Sequence, residues 1–371
     1  MNLTRSWFKQ LKQEWVAPEI IPERCVHTQC EVSTCTNCVE SCPAQAWILD
    51  DSGLYIDTSL CDGCSLCVAA CPESALGQTL LPAHRMAAEG KVLLLTCERV
   101  GEGRTTDEGV VPCLHAIGSS FLLDYYQAGY QQVLSLRGAC ETCSRYRGQD
   151  LFDQRLADLN ELLNDREAPL IQHQILSIAA WDAHYQQLSN AVLPPPEQNQ
   201  ITNRRQFLRQ AITFAVEKTL ESTQATDMET PTVPLPWASR LPTAKKENNK
   251  LRYPFAIQLD KAICNGCDAC VQLCPHQAIT LETDIKGRAL AYNLQPAHCT
   301  GCRICEDGCD QMAIHIENMQ VQSVSVVPLI QTSCKACGNS FHYPSNETAH
   351  RRTYCRICAQ HNHHRQLFQV L

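Results

Sequence analysis

Four short runs of cysteine constrain this chain more than any other feature of its sequence. The protein has 25 cysteines among 371 residues, and most of them lie in the runs CTNCVESCP, CDGCSLCVAACP, CNGCDACVQLCP and CTGCRICEDGC. The runs form two pairs with a hairpin-like stretch inside each pair, so the plan of residues 25–76 recurs at residues 257–317. The cysteine count is odd and MNLTRSWFKQLKQEW lacks an apolar run of secretory length. We therefore expect thiols that bind metal and not a disulfide scaffold.

The spacing within each run is the spacing that holds a cubane [4Fe–4S] cluster. In C-x2-C-x2-C-x3-C-P, three closely spaced thiolates bind one cluster, and the fourth, at the proline, binds the other cluster of the pair. Gly63, Gly266 and Gly301 each precede a ligand, where the absence of a side chain lets the backbone approach the sulfides closely. The sequence therefore predicts two pairs of clusters.

Residues 257–317 resemble a bacterial two-cluster ferredoxin over their whole length, and residues 30–76 resemble one with a single change. Val32 stands where the pattern has a cysteine, so the first ligand is either Cys25 or Cys30, and Cys30 has the shorter loop to Cys35. Asp310 also replaces the proline after Cys309. The resemblance implies four ligand sets: Cys30, Cys35, Cys38 and Cys71; Cys61, Cys64, Cys67 and Cys42; Cys264, Cys267, Cys270 and Cys309; and Cys299, Cys302, Cys305 and Cys274.

Between the two repeats, strands and helices alternate. The segments KVLLLT, GVVP, QQVLSL and LIQHQIL have the composition of buried strands, and AIGSSFLLDYYQAG and DLFDQRLADLNELLN have that of helices. In the second helix Phe152, Leu156, Leu159 and Leu163 share one apolar face. This alternation predicts right-handed βαβ units and a parallel sheet.

Four more cysteines lie at or just after these strands, namely Cys97, Cys113, Cys140 and Cys143. The carboxyl ends of parallel strands share one edge of a sheet, so we expect these thiols to converge there. Residues 91–180 resemble the delta-subunit family of methyl-viologen-reducing hydrogenases, which implies a [2Fe–2S] cluster on the four cysteines. The family has two close cysteines after the first strand, whereas this chain has only Cys97. The alternative is that all four are buried structural cysteines.

The tail contains CKAC and CRIC, a pattern typical of a structural zinc ribbon with four thiolate ligands. The expected ligands are Cys334, Cys337, Cys355 and Cys358. The alternative is four unligated thiols. The histidines of the tail could also bind metal, although we favour solvated side chains for them: His342, His361, His363 and His364.

The predicted fold is multidomain, α+β in the cysteine modules and α/β in the centre. Trp7, Phe8, Leu11 and Trp15 are spaced like one face of a short helix. We expect an amphipathic helix (1–24), a first ferredoxin-like module (25–80), a parallel-sheet α/β domain (88–185), a helix (203–222), a linker (223–250), a second ferredoxin-like module (251–318) and a zinc ribbon (328–366).

These features favour a cytoplasmic multi-cluster electron carrier that relays electrons between redox proteins such as a dehydrogenase, hydrogenase or reductase. The net charge of −8 argues against nucleic acid as a partner, and no segment has the length of a membrane span. The sequence has no glycine-rich phosphate loop and no established nucleophile–base pair, so a stand-alone enzyme is not indicated. The alternatives are an accessory or maturation factor for a larger metalloenzyme, such as molybdenum-dependent formate dehydrogenase, and an electron-transfer subunit of a hydrogenase or heterodisulfide-reductase complex.

Overall fold

The computed structural model describes residues 17–87, 90–100, 108–188, 235–244, 251–345 and 352–360. Several expectations therefore lie wholly or mostly outside the described residues. They are the amphipathic helix at the N-terminus, the helix at 203–222, the linker at 223–250, and the residues His361, His363 and His364.

The first cysteine module consists of short helices and two small antiparallel pairs of strands. Its elements are β1 (Glu19–Ile20), α1 (Val26–Gln29), α2 (Asn37–Ser41), β2 (Trp47–Asp50), β3 (Gly53–Ile56), α3 (Leu66–Ala70) and β4 (Leu76–Gly77). β1 pairs with β4, and β2 forms a hairpin with β3. The buried core contains Ala46, Trp47 and Leu76 together with the side chains of Cys42 and Cys67. The apolar interior of the module is therefore small and is shared with its thiols.

The central domain is a sheet with helices on both faces. Its elements are β5 (Ala83–Ala87), β6 (Gly90–Cys97), β7 (Val110–Val111), α4 (Ser119–Gln127), β8 (Tyr130–Leu136), α5 (Leu151–Asp165), β9 (Gln172–Ile175) and α6 (Ile178–Gln187). The strand order is β5-β6-β8-β9, and β7 also pairs with β6. The pairs β6–β7, β6–β8 and β8–β9 are parallel, as the alternation of strands and helices predicts. The sheet is nevertheless mixed and not purely parallel, because β5 is an antiparallel edge strand.

Alternate residues of β6 explain the two helical layers. Leu93 and Leu95 pack with α5, whose predicted apolar face, including Leu159, is buried. Val92 and Leu94 point to the other face and belong to the cluster that contains Trp181 of α6. Side chains alternate in this way because successive residues of a strand point to opposite faces of the sheet.

The second cysteine module repeats the plan of the first with longer strands. Its elements are β10 (Arg252–Leu259), α7 (Ala269–Leu273), β11 (Ile279–Thr283), β12 (Ala289–Leu294), α8 (Ile304–Asp307) and β13 (Ile314–Val321). β10 pairs with β13, and β11 forms a hairpin with β12, both antiparallel. Buried Ile257, Ile279, Tyr292 and Leu294 form its core.

The tail continues the sheet of the second module. It contains β14 (Val326–Ser333), β15 (Ser340–Pro344) and α9 (Arg356–Gln360). β14 pairs with β12 on one side and with β15 on the other, so the order is β11-β12-β14-β15. The expected boundary near residue 328 thus falls inside one hydrogen-bonded sheet. Within the described ranges, no helix is both long enough and apolar enough to cross a membrane.

Gly266 lies where a loop of the second module meets β15. Its φ is +73°, and a Cβ placed on it would lie 2.0 Å from the carbonyl oxygen of His342. Gly287 has nearly the same φ, +74°, but nothing lies within 4 Å of its Cβ position. Substitution by alanine at either position should cost about 1 kcal/mol of backbone strain. Only Gly266→Ala should also displace β15.

We expect Gly266→Ala to lower the thermal unfolding temperature clearly more than Gly287→Ala does. Amide hydrogen exchange in residues 340–344 should accelerate in Gly266→Ala alone. Equal effects of the two variants on both measurements would contradict the close packing of this loop against the tail.

Candidate metal centres

The fourth cysteine of each run has the same local geometry. Three residues later the backbone has a positive φ of 49–54°, and four residues later an alanine amide donates a hydrogen bond of 3.2–3.3 Å to the cysteine Sγ. The four cysteine–alanine pairs are Cys42 and Ala46, Cys71 and Ala75, Cys274 and Ala278, and Cys309 and Ala313. The turn at Cys309 therefore forms without the proline. Asp310, which replaces that proline, is exposed, so water screens its charge.

Three of the runs also share a left-handed residue directly after a cysteine. Ser65, Asp268 and Arg303 have φ of 62–63°, although none of them is glycine. In the first run Thr36 takes this place, and its φ is −121°. A β-branched residue is especially unfavourable at positive φ, which accounts for the difference. The first run therefore departs from the other three.

Burial is the largest cause of a raised pKa at several thiols of these runs. It raises the pKa of Cys64, Cys67 and Cys270 to about 12. Backbone amides oppose the shift, for example that of Leu66 at Cys64. Thiols with such values keep their protons at neutral pH until a metal displaces them, so binding of iron would release protons.

The fourth cysteine of each run lies with the other run of its pair. The charge of Cys71 raises the pKa of Cys38, and that of Cys42 raises the pKa of Cys67, in both cases after the larger effect of burial. In the second module, Cys309 has this effect on Cys264 and Cys270, and Cys274 has it on Cys299 and Cys305. These pairwise interactions support the crossed ligand groups that the resemblance implies, and we propose those groups as the cluster ligands.

The first ligand of the first set is the exception, because the thiol of Cys25 lies close enough to Cys35 and Cys38 to affect both. Both of those thiols have Cys25 among the groups whose charge raises their pKa, although burial contributes more. Cys25 follows a 3₁₀ turn, Pro22–Arg24, with φ −69° and ψ 131°. Cys299 follows a 3₁₀ turn, Pro296–His298, with φ −80° and ψ 130°.

Cys25, at the start of the first run of its module, therefore follows the same kind of turn as Cys299, which starts the second run of its own module. Val32 is 58 % exposed, so the residue that interrupts the pattern faces solvent and not a ligand position. We replace Cys30 by Cys25 in the proposed first set. The sequence contained a signal for this choice, since both modules have P-x-x-C, at residues 22–25 and 296–299.

The four central cysteines converge at one edge of the sheet, as expected. Cys97 ends β6, Cys113 follows β7, and Cys140 and Cys143 bound a 3₁₀ turn after β8. Burial raises the pKa of Cys113 to about 12, and the charges of Cys97 and Cys140 add to the shift. In the described part of the chain, these thiols do not meet the close spacing that a single ion requires.

Arg145 connects the end of the sheet that carries the four central cysteines to the first module. Its side chain is 4 % exposed, and its Nε donates a 2.6 Å hydrogen bond to Asp62, the neighbour of Cys61. Its Nη1 donates to the carbonyl of Pro112, next to Cys113, and pairs with Glu98 at 2.5 Å. Burial opposes the charge of Arg145, but the two acids outweigh it and raise its pKa. Arg145 therefore holds the central cysteine group next to the Cys61 group of the first module.

A serine–histidine–aspartate constellation lies nearby, and sequence spacing gave no sign of it. Ser135 Oγ is 2.8 Å from His173 Nε2, and His173 Nδ1 is 3.4 Å from Asp153 Oδ1. Ser135 is completely buried, so no substrate can reach its hydroxyl. The constellation instead ties β8 and β9 to the first turn of α5.

The tail cysteines form the candidate zinc site. The sulfurs of Cys334, Cys337, Cys355 and Cys358 all lie within 4.8 Å of one another. Burial raises the pKa of Cys334, but backbone amides of Cys337, Cys355 and Ala336 outweigh it and lower the value to about 6. Four closely spaced thiols, one of them readily ionised, fit a tetrahedral Zn²⁺.

His342 is not a solvated tail residue, contrary to expectation. Its Nε2 lies 2.9 Å from Asp268 Oδ1, and Tyr292 donates a 2.5 Å hydrogen bond to the same oxygen. His342 is therefore engaged by a carboxylate of the second module. We assign it to the contact between tail and module and not to a metal site.

Two family models match this chain, and both describe a 4Fe-4S dicluster domain. One matches residues 28–76 and the other matches residues 263–313. A comparison with curated proteins gives no significant match. The two domain matches confirm the predicted dicluster modules and imply up to four 4Fe-4S clusters, as in an iron–sulfur electron-transfer protein. The first match begins after Cys25, so it includes Cys30, whereas the geometry favours Cys25.

The choice between Cys25 and Cys30 can be tested by paired substitution. Cys25→Ala should lower the iron content by up to about four per chain, since a cubane loses a ligand. Cys30→Ala should leave iron unchanged, because no cluster depends on it. Iron and acid-labile sulfide, measured after anaerobic reconstitution, distinguish the two. Iron loss in Cys30→Ala but not in Cys25→Ala would show that Cys30 is the ligand, as its shorter loop to Cys35 suggested.

The tail site should be independent of the iron sites. Cys355→Ser should remove about one zinc per chain and accelerate hydrogen exchange around residues 334–345, because Zn²⁺ in such a site is structural. The iron content should not change. Loss of iron together with zinc would show that these thiols bind a cluster.

Proposed function

We propose that this chain is a multi-cluster electron relay between redox proteins such as a dehydrogenase, a hydrogenase or a reductase. The proposal includes four [4Fe–4S] clusters, one [2Fe–2S] cluster and one structural zinc. The main support for this proposal is the presence of two 4Fe-4S dicluster domains in one chain. Contacts that join these domains to each other and to the central cysteines support it further.

The ligands of the proposed cubane clusters are the crossed cysteine groups described above, with Cys25 in the first. The central cluster would use Cys97, Cys113, Cys140 and Cys143. Each iron–sulfur cluster, when bound, supplies reversible one-electron exchange. Zinc in the tail would have no redox role.

The side chains and backbone of this chain would provide the environment of those clusters. Amides such as that of Ala75 donate to ligand sulfurs, and hydrogen bonds of this kind stabilise the thiolate form. The buried indole Nε1 of Trp47 has no hydrogen-bond partner among the described residues, and it lies near enough to Cys67 to lower the thiol pKa against the larger effect of burial. Burial restricts water, which limits hydrolysis of the clusters and reorganisation of solvent around them.

Iron stoichiometry and electron uptake test the proposal. The anaerobically reconstituted chain should bind about 18 irons, from four cubanes and one two-iron cluster. Titration with dithionite, a low-potential reductant, should show reversible uptake of about five electrons, one for each cluster. Redox-inert iron would contradict a relay.

The central cluster has its own test in the double variant Cys140→Ala with Cys143→Ala. Iron should fall from about 18 to about 16 per chain, and the [4Fe–4S] signals in EPR should persist. An iron content of about 16 in the parent chain, unchanged in the double variant, would mean that the central cysteines are structural.

A further inference from the structure

The two ferredoxin-like modules meet through equivalent positions of their internal repeat. Glu73 is the second residue after Cys71, in the sequence Cys-Pro-Glu, and His276 is the second residue after Cys274, in Cys-Pro-His. The corresponding residues of the other two runs, Ala44 and Gln311, are neutral. Of the two turns that face each other, one therefore carries an acidic side chain and the other carries a basic one.

The contact between these turns is short and buried. Glu73 Oε2 lies 2.7 Å from His276 Nε2, and the two side chains are 4 % and 6 % exposed. Thr300, the neighbour of Cys299, donates a hydrogen bond to the other carboxylate oxygen of Glu73. Glu73 thus accepts hydrogen bonds from two separate segments of the second module.

A second contact between the modules lies beside Cys35. The backbone amide and the hydroxyl of Thr34 each donate a 2.9 Å hydrogen bond to the carboxylate of Asp307. Each module therefore has a carboxylate that accepts hydrogen bonds from the other module. Glu73 of the first module is buried, and Asp307 of the second is nearer to solvent. Asp307 also contributes to raising the pKa of Cys35, although burial is the larger cause.

The charge of Glu73 acts on cysteines of both modules. It is among the causes that raise the pKa of Cys35 and Cys71 in the first module, after the larger effect of burial. It has the same effect on Cys299 and Cys302 in the second module, again after burial. A single carboxylate therefore lies between two candidate cluster sites. Coulomb interactions with a carboxylate this deeply buried are strengthened because little water intervenes.

We propose that Glu73 is a positioning residue that holds the Cys71 and Cys299 groups against each other and disfavours reduction of both. This inference rests on the proposed function, since it concerns two of the cluster sites. An ionised Glu73 carboxylate opposes the addition of an electron to either neighbour, and His276 at 2.7 Å offsets part of that charge when its ring is protonated. Removal of the carboxylate therefore makes both clusters easier to reduce. Because the charge acts on both groups, it lowers their potentials together.

Three substitutions at Glu73 separate its charge from its shape. Glu73→Gln keeps the size and an acceptor for Thr300 but removes the charge. Glu73→Asp keeps the charge and should keep potentials close to those of the parent. Glu73→Ala removes both the charge and the shape of the side chain, and it should also weaken the magnetic interaction between the two clusters. Glu282→Gln, an exposed carboxylate in the hairpin of the second module, is the matched control.

Redox titration monitored by EPR is the decisive measurement on the reconstituted chains. In Glu73→Gln, two of the [4Fe–4S] signals should titrate at more positive potential, and the others should stay in place. Unchanged potentials, a shift confined to one cluster, or an equal shift in Glu282→Gln would overturn the proposal. If the parent chain binds no [4Fe–4S] clusters, the proposed function fails, which is a separate outcome visible in iron content.

Asp307→Asn provides an independent variant in case Glu73→Gln does not fold. Its carboxylate belongs to the second module but influences Cys35 of the first. The substitution should therefore raise the potential of the cluster proposed on the Cys35 group. No shift in any cluster would contradict the close electrostatic contact between the modules on which the proposal depends.

Discussion

The crossed placement of the fourth cysteine is the constraint on which each cysteine module depends. A turn of only five residues, closed by an alanine amide on the sulfur, directs that thiol into the group formed by the other run. Neither run can then complete a four-cysteine group by itself. The interior around Trp47 is small, so metal binding would supply much of the folding free energy of the first module. The two halves of a module must therefore fold as one unit.

Buried charged side chains join these units into a larger assembly. Arg145 connects the central sheet to the first module, and Glu73 connects the first module to the second. Such contacts are costly to bury singly and are tolerated because each charge has several hydrogen-bond partners. An apolar interface could slide, whereas a buried polar network requires one geometry. Fixed geometry suits a protein whose cysteine groups must keep defined neighbours.

The local pattern of the sequence accounts for most of the fold and for part of the site. The apolar face of α5 and the strands that end near the central cysteines follow from periodicity, which is a local property. The antiparallel strand β5 was not predicted, although it pairs locally with β6 from Ala87 and Gly90 onward, because the segment PAHRMA lacks the apolar, β-branched composition of a buried strand. The sequence left Cys25 and Cys30 both open as the first ligand because the spacing to Cys35 is unusual, and loop length favoured Cys30 although the P-x-x-C signal of Cys25 was present. His342 was misjudged because its partner Asp268 is 74 residues away, and sequence spacing gives no information on such a pair.

The contact between Thr300 and Glu73 has a consequence for how the protein is made. The two residues are 227 positions apart, and the earlier one leaves the ribosome first. At about 5–20 residues per second, roughly 10 to 45 s pass before its partner is synthesised. During that interval the carboxylate has no module to bury it and remains hydrated. The first cysteine module must therefore be stable with an acidic, water-exposed surface, and docking of the second module must remove that water after synthesis of residue 300.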